Sequence, residues 1–242
     1  MKTIFALLLG FALLSTSIAQ KEKKPWTEWS KKEAENILNK SGWGQMQTDT
    51  DTDEMFFQPT SDAVTHRRAP NAAERTREGA TNQSTNVSYG IRFFSARPVR
   101  QAFMRMIQLQ QKNVEPEVLE RMKNFAEVSA TDSIIIAVTI EGTDKRSLGD
   151  VMQIINSAVT GTLKNTTYLE RSDGKRLFLQ EYVPPGRDGF GARFIFPRST
   201  EEQPFLSTEF SEVRFVSEFD PTVKLNKRFK LADMMLDGKL EY

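Results

Sequence analysis

Near residue 167 the spacing of apolar residues changes period, and this limits the folds the chain can adopt. Before that point amphipathic stripes at helical spacing are interrupted by short apolar runs; after it, apolar and polar residues alternate one by one. A chain that places its helices first and then a succession of strands reads as α+β, not as an alternating α/β fold. The expectation is a mixed or mainly antiparallel sheet with about four helices on one face and a C-terminal third that is mostly β.

The local signals support this division. Ser30 and Glu33 form a capping box ahead of Ala34, Ile37 and Leu38, and Gly42 is expected to close that helix in the left-handed conformation. Ser95 is read as the cap of a second helix, with Pro98 in its first turn and Val99, Phe103, Met106 and Ile107 as its stripe. Pro116 opens a third, carrying Val118, Leu119, Met122, Phe125 and Val128, and 148–163 reads as a fourth. Strands are expected at 45–57, 87–94 and 133–140, the last from the β-branched run Ile134-Ile135-Ile136. Asp173-Gly174 lies between strand-like runs at 167–170 and 177–183, a strong hairpin signal, and Asp237-Gly238 gives a shorter one. Further strands are expected at 192–196, 210–219 and 223–231.

Residues 1–19 stand apart. Lys2 precedes an apolar run from Ile4 to Leu14, and Ser15 to Ala19 are mostly small. This is the layout of a secretory signal peptide cut after Ala19. The run is shorter than the roughly 20 apolar residues a spanning helix needs, and no later segment approaches that length. The expected location is extracytoplasmic, periplasmic or secreted, with no transmembrane segment after cleavage. Residues 20–242 then form one α+β domain interrupted by a polar insertion at 58–86 that reads as disordered.

Composition removes several function classes. Without Lys2, Lys+Arg falls to 32 against Asp+Glu 32, so the chain lacks the basic surplus of a general nucleic-acid binder. There is no Cys and one His, His66, which excludes disulfides and classical structural zinc. The core must hold the fold alone. No phosphate loop, dinucleotide fingerprint or nucleophile elbow occurs, so no catalytic residue is assigned and no cofactor is implied.

Three groups of residues remain as candidates. The glycine-rich loop from Pro184 to Gly191 permits close backbone approach, and Arg187, Asp188 and Phe190 are its contact residues. Asp49, Asp51 and Asp53 resemble the first half of a calcium loop, but Glu54 stands where that loop has Gly and Thr60 where it has Glu. Glu170, Asp173 and Glu181 are the carboxylates a hydrolase could use, with Glu170 and Glu181 facing each other across the hairpin. Trp26, Trp29 and Trp43 bracket the first helix and are read as core anchors.

The block from Pro25 to Ala34, with Ser41-Gly42-Trp43-Gly44-Gln45, resembles the opening of exported proteins of unknown function in soil bacteria of the acidobacterial sort. Phe229-Lys230-Leu231 and Asp237 to Tyr242 are similar in style to their close. The resemblance implies a bacterial, extracytoplasmic home and transfers no site residue. The leading functional expectation is a non-enzymatic module that binds an envelope protein or other extracytoplasmic component. The alternative is a secreted hydrolase with a carboxylate site.

Overall fold

A computed structural model describes residues 24–50, 86–111, 114–128, 132–142, 144–200 and 203–242. The expected signal peptide, the expected polar insertion up to residue 85, His66, Asp51 and Asp53 lie outside them.

A 3₁₀ turn at Trp26–Glu28 leads into α1 (Lys31–Asn39), which starts where the capping box places it. The Ser30 hydroxyl accepts from the Glu33 N–H at 3.3 Å, and the Glu33 carboxylate accepts from the Ser30 N–H at 2.6 Å. Gly42 serves a different purpose from the expected one. The helix already ends at Lys40, and a Cβ on Gly42 would lie 2.1 Å from the Asp233 carbonyl oxygen. Glycine is there for close approach by a distant segment, and its φ is not left-handed.

β1 (Gly44–Thr50) and β2 (Asn86–Phe93) pair antiparallel, and α2 (Arg97–Gln110) and α3 (Pro116–Glu127) follow. Pro98 and Pro116 occupy first-turn positions, as read. Ser95 does not cap α2. Its hydroxyl accepts from the Ile135 N–H at 3.0 Å, and the first turn is satisfied across the fold, where the Glu241 carboxylate accepts from the Arg97 N–H at 2.9 Å. β3 (Ser133–Gly142) and α4 (Lys145–Ser157) come next, with Asp144 as the cap of α4. The helical stripe continues in sequence to residue 163, but Ala158 and Val159 are extended and the last turn is a separate element, α5 (Thr160–Leu163). The break positions the Thr160 hydroxyl to accept from the Tyr182 N–H at 2.9 Å.

The β-rich part comprises β4 (Thr167–Arg171), β5 (Arg176–Phe178), β6 (Glu181–Val183), β7 (Ala192–Pro197), the small pair β8 (Ser199–Thr200) and β9 (Gln203–Pro204), β10 (Glu212–Glu218), β11 (Lys224–Lys230), and β12 (Met235–Leu236) with β13 (Lys239–Leu240). One sheet has the order β1-β2-β3-β7-β6 and a second the order β11-β10-β4-β5. All their pairings are antiparallel. The fold is therefore α+β, with a C-terminal region that is mostly strand. Among the described residues no helix is long and apolar enough to cross a membrane.

The two hairpins form where Asp-Gly places them, and Asp237 (φ 50°) and Gly238 (φ 78°) both take the left-handed backbone that the second one requires. The run 177–183 is not one strand. The Leu179 N–H donates to Thr167 O of the second sheet at 3.1 Å, and the very next N–H, that of Gln180, donates to Ile195 O of the first at 2.9 Å. Here the chain passes from one sheet to the other and ties them together.

The two sheets stack. Phe93 lies 5.0 Å from Phe229, and Phe194 lies 5.1 Å from Phe215, ring centre to ring centre. Strand alternation turns the neighbours of Phe93 and Phe194 to the opposite face of the first sheet, where α1 and α2 cover it. The expectation of helices on one face holds for these two, and the second sheet covers the other face. Trp26 and Trp43 are buried, as read, and their indole N–H groups donate to Glu127 at 3.0 Å and to Glu241 O at 2.7 Å.

Candidate functional site

Register sets the site. In β2 the residues Phe93, Ile91 and Tyr89 face the sheet stack, so Arg92 and Gly90 face the helices, opposite Ala137 and Thr139 of β3. Arg92 is consequently buried, with 3% of its surface exposed. Its Nε donates to Leu38 O at 2.9 Å, at the carbonyl end of α1. Its two terminal nitrogens donate to Thr139 Oγ1 at 2.5 Å, Gly90 O at 3.3 Å and Asn39 Oδ1 at 2.6 Å. The Phe103 ring centre lies 5.6 Å from the guanidinium carbon. A Cβ on Gly90 would fall 2.2 Å from that guanidinium, so the glycine makes room for it.

Arg92 has no carboxylate within ion-pair distance among the described residues. Burial lowers its pKa to about 10, and the charge of Glu141 works in the opposite direction. Carbonyl and hydroxyl dipoles, including those at the C-terminus of α1, hold this cation in place.

Arg92 lines a cleft of about 460 Å³ between α1, α2, β3 and the glycine-rich loop. Leu38, Phe103, Met106, Ile107, Ile140 and Phe190 supply its apolar walls, and Glu35, Glu141, Arg187 and Asp188 are among its charged lining. Concavity, apolar walls and a few placed polar groups are the features of a small-ligand site. The three loop residues singled out in the sequence thus come together at this cleft, in three different roles. Phe190 is half-buried and joins an aromatic cluster with Phe94 at 4.9 Å, Phe103 at 5.5 Å and Phe125 at 5.9 Å. It anchors the loop, so replacing it disturbs packing as well as contact. Asp188 is held by Arg193 at 2.9 Å and accepts from the Phe190 N–H at 3.1 Å. Arg187 is exposed and has no hydrogen-bond or ion-pair partner among the described residues. Gly191 (φ 81°) is required twice over, since a Cβ there would also sit 2.2 Å from the Val138 carbonyl oxygen.

Glu170 and Glu181 do not face each other. Glu170 lies opposite Arg176 in the β4–β5 register, and Glu181 lies opposite Ile195 in the other sheet. Glu170 is clamped by Arg176 at 2.6 Å and by Arg214. These hydrogen bonds hold its carboxyl below the usual carboxylate range, with Arg176 the larger cause. Arg171 does the same for Asp173 through contacts of 3.1 and 2.5 Å. A general acid needs a shift in the other direction. Of the three aspartates of the partial calcium motif, only Asp49 lies among the described residues. It stands opposite Val87 in β1 and accepts from Gln47 at 3.1 Å. The described residues contain no group of three or more His, Cys, Asp or Glu side chains placed to hold a metal ion.

A second, larger hollow of about 640 Å³ lies between 208–212 and 230–235. It contains none of the sequence candidates, and its charged groups Glu209, Glu212 and Lys230 are exposed or half-exposed. The Arg92 cleft differs in having a buried cation at its floor. Sequence reasoning missed Arg92, because an arginine in an alternating strand reads as a solvent-facing position. The signal that could have found it is Gly90, a glycine two residues away on the same face of the strand.

No known protein family, curated protein or solved structure matches the chain.

Proposed function

We propose that the protein is a non-enzymatic binding module acting outside the cytoplasm, on an envelope component or another extracytoplasmic molecule, and that its ligand sits in the Arg92 cleft. The observation that carries this reading is the cleft itself, with apolar walls closing on a buried guanidinium that has no ion-pair partner among the described residues. The export signal read in residues 1–19 and the resemblance at both ends to exported bacterial proteins support the location. Weighing against the hydrolase alternative, Glu170 and Glu181 stand in different sheets, and arginines hold the carboxyls of Glu170 and Asp173 below their ordinary range.

The test is a ligand-observed NMR screen of a fragment library against the purified protein and a Met106→Trp variant, which fills the cleft from α2. Fragments that bind the wild type and lose binding in the folded variant place the site in the cleft. A screen in which every binder survives the tryptophan overturns the reading.

A further inference from the structure

The charges around the cleft do not balance, and the imbalance points to what it holds. Two of its carboxylates are engaged within the protein: Asp188 pairs with Arg193 at 2.9 Å, and Glu35 pairs with Lys31 at 3.7 Å. Glu141 has no ion-pair partner among the described residues, and neither do Arg92 and Arg187. Within the lining itself three carboxylates face two guanidiniums; with Lys31 and Arg193, the partners of Glu35 and Asp188, counted in, the cations around the cleft exceed the carboxylates by one. Arg92 also retains a donor. The Arg92 nitrogen bonded to Asn39 carries two N–H groups, and Asn39 is its one acceptor among the described residues. Burying a cation without an anion is costly, and an anion brought to it from solution removes part of that cost.

Resting on the binding-module reading, we infer that the cleft takes a small monocarboxylate. Its apolar or aromatic body packs between Phe103, Met106, Ile107 and Phe190, and its carboxylate lies toward Arg92 and Arg187. A planar guanidinium is the side chain best matched to a carboxylate. One negative charge neutralises the surplus. A dianion would exceed it and meet repulsion from Glu141, which disfavours phosphate monoesters and dicarboxylates.

The experiment is calorimetric titration of the purified protein with two matched series: hexanoate, hexanol and hexylamine, and hydrocinnamate with its alcohol and amine. Both carboxylates are expected to bind about tenfold or more tightly than their alcohols, the difference made by a hydrogen bond to a charged group. Arg187→Gln, at an exposed position that leaves folding intact, should weaken the carboxylates about threefold and leave the alcohols unchanged. Arginine side-chain NMR gives a reading without mutation: the Arg92 Nε–H resonance shifts on adding hydrocinnamate and stays fixed with the alcohol. Alcohols or amines that bind as well as the carboxylates, and are blocked by Met106→Trp, overturn the carboxylate assignment and leave the cleft reading standing. If neither series binds while the fragment screen finds other cleft ligands, the inference again fails alone. If both experiments find nothing in the cleft, the inference and the binding-module reading fail together.

Discussion

The two faces of the first sheet are built on opposite rules. Toward the second sheet, Phe93 meets Phe229, and Phe194 and Phe196 meet Phe215, all edge to face. Toward the helices, the same strands present Arg92 and Thr139, and a carbonyl at the end of α1 completes the set. The first face is held by apolar area and ring geometry, which require no partner from outside. The second is held by hydrogen bonds to a charge, and beside that charge the packing opens into a cleft. One sheet thus carries an aromatic stack on one side and a charged hydrogen-bond network beside a cleft on the other.

The largest effect expected on this comparison is at the aromatic face. Phe215→Ala should cost about 3–5 kcal/mol of unfolding free energy in urea denaturation, the usual loss for a fully buried ring. A much smaller loss would mean that the sheet stack is loosely packed and that the helical face carries the fold. Next comes Arg92→Met, expected to cost about 3 kcal/mol, because Leu38 O, Asn39 and Thr139 all lose a donor while methionine roughly fills the space. A gain in stability instead would erase the distinction as a matter of folding and make the arginine a residue kept for ligand alone. Thr139→Val removes one charged hydrogen bond and should cost about 1–2 kcal/mol, which sharpens how the Arg92 network divides its energy.

Exposed charge sets the lower end of the scale. Glu170 on the outer side of the second sheet has its carboxyl held down in the fold by Arg176 and Arg214. Its contribution is therefore present above the ordinary glutamate pKa near 4.5 and is lost as pH falls through the lowered folded value. Glu170→Gln should cost under about 1 kcal/mol at neutral pH, after solvent screening, and the gap to wild type should close in acid. A gap that persists in acid would show that the side chain contributes by packing and not by charge. Arg187→Gln should leave the denaturation midpoint where it is, within about 0.5 kcal/mol, as expected for an exposed side chain. A loss beyond that would make Arg187 part of the fold and remove it as a free recognition group.

The glycines show how far the cleft could be read in advance. The loop with Arg187, Asp188 and Phe190 was read as a contact segment from its glycines and from Arg187 and Phe190 themselves, and it borders the cleft. Its inward anchor was not, because nothing near Phe190 in sequence announces that Phe94, Phe103 and Phe125 converge on it. Gly42 looks like a helix terminator and Gly90 like a weak point in a strand. Each is small because a group far away in the chain, Asp233 for the first and the Arg92 guanidinium for the second, comes within bonding range of where a Cβ would be.

The sequence by itself determined the elements whose energetics are local. The Ser30–Glu33 capping box, the prolines that start α2 and α3, the two Asp-Gly turns and the change of period near residue 167 all involve residues a few positions apart, whose geometry is set before any tertiary contact forms. Tertiary structure alone decided the rest. It split 177–183 between two sheets, gave the first turn of α2 to Glu241 in place of Ser95, and buried Arg92 beneath α1. Those outcomes depend on strand register and on which distant segments meet, and register turns each strand residue toward one face or the other. A periodic pattern shows that a strand has two faces, and only the packed layers determine what each face will meet.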